Sequence, residues 1–247
     1  MQQAGKTTLI TGAAGGLGAA CARLFAAQGG NVVLFDRSLD VRQVAEELGD
    51  CAVAFVGDVM KVEDLESCVQ AGIERFGRID NLIACSGIVR SGTVTETALE
   101  DWQHVIDVNL TGVFLSCQAV LPVMVEQKYG RIVTVSSHFG LVGATKLAAY
   151  CAAKGGVIQL TKSIALDYGR VGIRANCLAP GMMQTNMLNE IMSQVGMSTD
   201  WVAMMRGLPT GIPKPEQVAQ SALYLVSDAT ESMTGSVLTV DGGYTAR

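Results

Sequence analysis

At 247 residues the chain is long enough to bury a substantial core, and 49% hydrophobic against 17% charged residues excludes a disordered protein. A net charge of −5 with no basic block argues against a nucleic-acid partner or an anionic membrane surface. The first residues form no apolar signal segment, so the expectation is one soluble, cytoplasmic domain over 1–247.

In chain order, a strand is predicted over 7–11. It runs into Thr11-Gly12-Ala13-Ala14-Gly15-Gly16-Leu17-Gly18 and then a helix over 16–28. Strand, glycine-rich turn and helix together suit a pyrophosphate, because the turn brings backbone close and the helix start offers unpaired N–H groups. Gly12, Gly15, Gly16, Leu17 and Gly18 are the candidates for this cradle. A second strand over 31–36 ends at Asp36, eighteen residues past Gly18. A carboxylate there accepts hydrogen bonds from ribose hydroxyls and repels a 2′-phosphate. Arg37 follows it and could stack on adenine or meet a 2′-phosphate.

After a helix over 41–48, a third strand over 52–57 leads to Asp58 and Val59. Asp58 is read either as a partner for the adenine amino group or as a cap for the next helix. A fourth strand over 81–85 ends at Cys85 and Gly87. The apolar stretch 105–125 is interrupted by Asp107, Asn109, Gln118 and Pro122, and reads as a buried helix rather than a membrane span. Asn109 is costly inside such a helix unless bonded. It is expected either to bond nearby backbone or to hold a water beside Lys154.

A fifth strand over 131–136 ends in Ser136 and Ser137, whose hydroxyls could bond a substrate oxygen or local backbone. Tyr150 and Lys154 then lie four apart, on one face of a helix over 147–168. A free phenol, with a pKa of about 10, is a poor base near neutrality. One ammonium about 4 Å away contributes on the order of 4 kcal/mol at an effective dielectric near 20, enough to lower it by two to three units. Further strands are expected over 173–178 and 237–240. Between them, 181–215 is rich in Met, Gly and Pro and reads as a substrate loop or lid. Seven of the eleven methionines fall between Met182 and Met205, suggesting an adaptable apolar wall or core packing beneath a lid. His138, next to Ser137, is a candidate for a second polar substrate contact.

Seven strands alternating with helices predict an α/β fold. It is a Rossmann-type doubly wound parallel sheet with helices on both faces. The seven cysteines form no CxxC pair and read as thiols of a reducing compartment, and two histidines leave little for a metal site.

On these residues the chain resembles the short-chain dehydrogenases/reductases over essentially its whole length. Thr11, Gly12, Gly16 and Gly18 match the family's glycine pattern. Tyr150 and Lys154, with Ser137 thirteen residues before the Tyr, match its active site, and Asn109 matches its catalytic Asn. Pro180, Gly181 and Thr185, with Met183 between them, match the segment that borders the nicotinamide, and Val240-Asp241-Gly242-Gly243 matches the usual close of the chain. One segment departs. Where the family carries Asn-Asn-Ala-Gly, this chain has Ala84-Cys85-Ser86-Gly87, leaving backbone to make the contacts there.

The resemblance implies hydride exchange between NAD and a secondary alcohol or ketone. Tyr150 would act as acid or base, Ser137 would orient the substrate oxygen, Lys154 would lower the phenol pKa and bind ribose, and Asn109 would support a proton relay. It also implies a homotetramer. The alternatives are an NADP-dependent 3-oxoacyl reductase, which Asp36 opposes, and a non-catalytic dinucleotide sensor, which would not need the intact tetrad.

Overall fold

The structure, a computed structural model, describes residues 2–195 and 207–246. Seven strands form one parallel sheet: β1 (Thr7–Thr11), β2 (Asn31–Asp36), β3 (Ala52–Val56), β4 (Asn81–Ala84), β5 (Gly130–Val135), β6 (Ile173–Pro180) and β7 (Val237–Val240). Their order is β3-β2-β1-β4-β5-β6-β7. The order reverses between β1 and β4, and at such a switch point the loops at the carboxyl edge part to leave a crevice.

Alternation along the strands sorts their side chains into two cores. Leu9, Val33, Leu82 and Ile132 face one side with α3 (Val62–Phe76), α5 (Gly112–Gln127) and α6 (Ala148–Tyr168). Ile10, Leu34, Ile83 and Val133 face the other with α1 (Gly16–Ala27), α2 (Asp40–Leu48) and the Pro215–Val226 helix. Both faces are covered, which explains the continuously apolar strand sequences. Between β6 and that last helix lies α7 (Asn186–Val195), so part of the expected lid is helical; its stretch 196–206 lies outside the described residues.

The predicted helix over 105–125 is not uniform. Its first part is α4 (Leu99–Ile106), followed by a π-helical turn at Asp107–Thr111 and then α5. The whole run is long and apolar enough to cross a membrane by length and composition, with half of its most apolar window buried against the rest of the protein.

At the amino edge of the sheet, the fully buried carboxylate of Asp80 accepts the Thr7 N–H at 2.8 Å and grips Arg78 through two bonds of 2.8 and 2.6 Å. Replacing Asp80 with Ala leaves a buried N–H and a guanidinium without their acceptor. We expect Asp80→Ala to lower the unfolding free energy by about 2–3 kcal/mol in urea titration. Turnover per folded molecule should be unchanged, because Asp80 lies at the edge opposite the crevice. A loss below about 1 kcal/mol would show that the carboxylate does not brace this edge.

Candidate active site

The glycine-rich turn joins β1 to α1 at the switch point. Gly12 has φ +70°, and a Cβ there would stand 3.0 Å from the Ser86 backbone, so this turn can pass the loop after β4 only as glycine. Gly15 precedes α1, whose start carries no side-chain cap and no acidic residue. Nothing lies within 4 Å of where a Gly15 Cβ would stand. The bare first turn and open ground before it fit a dinucleotide pyrophosphate. At the end of β2, Asp36 accepts the Ala14 N–H at 3.0 Å on one oxygen and the Ser38 N–H at 2.9 Å on the other. These bonds fix the carboxylate at the cleft wall, and each oxygen retains a lone pair for a ribose hydroxyl.

The segment Ala84-Cys85-Ser86-Gly87 keeps its backbone in place without amide side chains. The Thr11 hydroxyl accepts the Cys85 N–H at 3.1 Å and the Ser86 N–H at 3.3 Å. Ala84 is fully buried in one core and Cys85 packs against the other. Burial pushes the Cys85 thiol up to about 12 against the pull of the Lys154 charge, so it is neutral and apolar. Gly87 leaves no room for a side chain: a Cβ would stand 2.8 Å from Asn109 Oδ1 and 3.5 Å from Lys154 Nζ.

The reacting side is built by β5 and α6. Lys154, almost fully buried, donates from Nζ to the Val135 carbonyl at 2.9 Å, and its own carbonyl accepts the Ser136 hydroxyl at 2.7 Å. Ser136 therefore ties helix to strand, while Ser137 Oγ accepts the Phe139 N–H at 3.2 Å and keeps its hydroxyl hydrogen to donate. Tyr150 is also buried, with Lys154 Nζ 5.7 Å from its ring centre. The phenol does not follow the expected shift. Burial pushes it up to about 12, with the Ser137 hydroxyl pulling the other way. Burial likewise lowers Lys154 to about 8. Desolvation wins in the chain alone, because Lys154 is held on Val135 and is itself short of solvent. Asn109, fully buried in the π turn, donates to the Ile88 and Val105 carbonyls, each at 2.9 Å, and accepts the Ile88 N–H at 3.3 Å. These are the bonds of a residue that braces local backbone.

One cleft of about 300 Å³ brings most of the predicted residues together. Gly12, Gly15, Gly16, Leu17, Gly18 and Asp36 line its dinucleotide side. Cys85, Gly87, Ser137, Tyr150 and Lys154 line its centre. His138, Pro180, Gly181, Met183 and Thr185 line the rest of it, with Thr185 Cγ2 3.4 Å from where a Gly16 Cβ would stand. Arg37 is exposed and outside the cleft wall. Val59 is buried against Gly112 instead. Asp58 is a turn residue: its Oδ1 accepts the Met60 N–H at 2.9 Å, and Lys61, not Asp58, precedes the helix. Sequence reasoning passed over the bracing role of Thr11, although it opens the glycine motif. It anticipated a methionine wall, and Met182, Met183 and Met187 do line the cleft beside Leu188 and Ile191. The Met192 side chain and Met197, Met204 and Met205 lie outside the described residues.

Comparison with known proteins agrees with this geometry. The profile of a family described as Enoyl-(Acyl carrier protein) reductase matches residues 12–245. The chain is 38% identical to a 3-oxoacyl-[acyl-carrier-protein] reductase of Thermotoga maritima, covering 98% of this chain and 99% of that protein. It is 39% identical to 3beta-hydroxysteroid dehydrogenase 1 of Eggerthella lenta, covering 98% and 94%. Among solved structures, levodione reductase superposes with a TM-score of 0.93 at 31% identity, covering 99% of each chain.

Proposed function

The chain belongs to the short-chain dehydrogenases/reductases, and from that premise we propose that it is an NAD-preferring oxidoreductase of a secondary alcohol or ketone, with Tyr150 as its acid and base. That it is a nicotinamide-dependent oxidoreductase of CH–OH and carbonyl groups follows from its relatives. The observation that carries the finer reading is the convergence of Ser137, Tyr150 and Lys154 in the cleft that Asp36 and the glycine turn also line.

A bound nicotinamide would supply the hydride donor or acceptor, and in its oxidised form a positive charge that would favour a phenolate at Tyr150. Tyr150 Oη takes the substrate hydroxyl proton in oxidation and returns one in reduction. Ser137 donates to the same substrate oxygen. One donor of Lys154 is held by Val135, and the other two are left for ribose hydroxyls. Asn109 holds the loop after β4, at Ile88, against Val105 of α4. The buried, apolar surroundings that raise the phenol pKa also keep water from the reacting carbon.

The Asp36 carboxylate supports NAD, since a 2′-phosphate brought beside it meets like charge. Arg37 is exposed and is not among the residues that line the cleft. The likeness to a 3-oxoacyl reductase supports the second reading, an NADPH-dependent enzyme of that type. The apolar wall of Met182, Met187, Leu188 and Ile191 supports a largely apolar small-molecule substrate. All seven cysteines are free thiols, which supports a cytoplasmic setting. A homotetramer is supported by an apolar groove between α5 and α6, with Phe114 and Val125 part-exposed along it and Leu166 of α6 83% exposed.

Tyr150→Phe should cost 10²- to 10⁴-fold in turnover followed by NADH absorbance, roughly the range of general acid–base catalysis, while cofactor binding survives. The raised phenol pKa means that wild-type oxidation gains speed as pH rises and more phenolate forms. A variant that keeps wild-type turnover removes Tyr150 from the proton transfer. Calorimetric titration should show tighter binding of NAD(H) than of NADP(H), and the reverse order would favour the 3-oxoacyl reductase reading. Light scattering should give four times the 25.9 kDa chain mass, and a monomer would discard the tetramer.

A further inference from the structure

β5 and β6 pair in parallel as far as Val135 and Leu178, and one more rung follows, with the Ser136 N–H on the Leu178 carbonyl at 2.8 Å. The ladder then ends for two reasons. Pro180 has no N–H to return to Ser136. His138 turns away into a short 3-10 turn over His138–Gly140. In the same register, the next rung would bring the His138 N–H to the Pro180 carbonyl. The ring takes that carbonyl instead, with Nδ1 3.1 Å from the Pro180 oxygen. A carbonyl only accepts, so Nδ1 carries the hydrogen. Nε2 has no partner among the described residues, and burial holds the ring below the ordinary histidine pKa. Near neutrality the ring is therefore uncharged, and Pro180 sets its tautomer.

The ring is clamped as well as bonded. Phe139 packs on it at 3.9 Å between centroids, Tyr244 meets it edge-on at 4.7 Å, and the residue is 2% exposed. On the β5 side it follows Ser137, whose Oγ accepts the Phe139 N–H of the same turn at 3.2 Å. On the β6 side Pro180 leads into Gly181, where a Cβ would stand 2.7 Å from Asp241 Cα, so the two backbones pass in near contact. Ser137, Pro180 and Gly181 all line the cleft. We propose that His138 is a positioning residue: its Nδ1–H supplies a side-chain rung between the ends of β5 and β6, and so sets the spacing between the substrate anchor Ser137 and the Pro180–Gly181 backbone beside the nicotinamide. The inference rests on the reading that puts the substrate oxygen at Ser137 and the nicotinamide against Pro180 and Gly181. His138 acts through these two segments and need not touch either reactant.

Two variants separate the bond from the packing. His138→Phe keeps an aromatic ring against Phe139 and Tyr244 and loses the N–H. His138→Asn loses the ring and keeps an N–H at the δ position. With cyclohexanol or 2-octanol and NAD, His138→Phe should lose about tenfold to a hundredfold in kcat per folded molecule, the scale of a misplacement near 1 Å. His138→Asn should stay within about threefold of wild type. Melting temperatures should run the other way, with His138→Asn the less stable, because it leaves a cavity between two rings. Activity that instead follows the melting temperature reduces His138 to core packing and overturns the proposal.

Binding and spectroscopy give readouts free of turnover. By calorimetry, His138→Phe should weaken NADH about threefold or more and leave ADP-ribose, which lacks the nicotinamide, within about twofold, with His138→Asn restoring NADH. Equal losses for both ligands, or no loss for either, overturn the spacing role. With only two histidines in the chain, His104→Gln leaves one ring to observe. Its nitrogen-15 signals at neutral pH should be those of a protonated Nδ1 and a bare Nε2, and the opposite tautomer overturns the rung itself. If wild type oxidises neither alcohol while the binding and nitrogen-15 results hold, the reading of Ser137 fails and the rung stands.

Discussion

Lys154 gives a hydrogen bond from its ammonium to the Val135 carbonyl and receives the Ser136 hydroxyl on its own carbonyl. This reciprocal clasp fixes the rotation of α6 against the end of β5. Tyr150 lies one helical turn before the clasp and Ser137 one residue beyond it, so proton donor and substrate anchor inherit their geometry from one joint. The joint is not a comfortable place for a cation. Burial holds Lys154 near 8, a displacement worth roughly 3 kcal/mol between its charged and neutral forms. Two of its three donors remain for groups arriving in the cleft, so hydroxyls entering there relieve a shortage that the folded chain carries by itself.

On the other side of the switch point, one hydroxyl at the start of the glycine turn braces the loop after β4. Thr11 ends β1 and receives two backbone N–H groups from the loop after β4. The two halves of the sheet are thereby joined just where they diverge. With this brace in place, Ala84 and Cys85 can be apolar core residues. The loss of the amides seen elsewhere in the family changes what packs beneath the strand, and the backbone course is kept.

Much of this was legible in the sequence. Continuous apolar runs gave the seven strands, because a sheet covered on both faces has no polar side to alternate with. The spacing of Ser137, Tyr150 and Lys154 located the centre of the cleft, since strand end and helix face are both set by local periodicity. The failures share a physical cause. In the chain without cofactor, burial outweighs the Lys154 charge and raises the phenol, because burial is a property of the whole fold that the spacing does not carry. The helix-cap reading of Asp58 fails because Lys61 is the residue that precedes the helix, while Asp58 Oδ1 takes the Met60 N–H of a short turn. The side chains of Arg37 and Val59 diverge from the strand ends that carry them, one to solvent and one into the core.

The π turn at Asp107–Thr111 is a phase shifter. A bond from the Gly112 N–H to the Asp107 carbonyl spans five residues instead of four and so inserts one extra residue into the winding. The helix after it is rotated relative to the helix before it by roughly the angle one residue occupies, about 100°. Val105 therefore packs with Phe139 and Tyr150 beside the cleft, while Val113, Cys117 and Val120 face the central sheet. Asn109 sits at the slip itself, its amide taking the Val105 carbonyl. One rod thus serves two hydrophobic compartments whose directions a regular helix could not reconcile. The phase of this rod depends on its residue count. A single deletion within the turn would rotate one compartment out of contact even if every remaining side chain were kept.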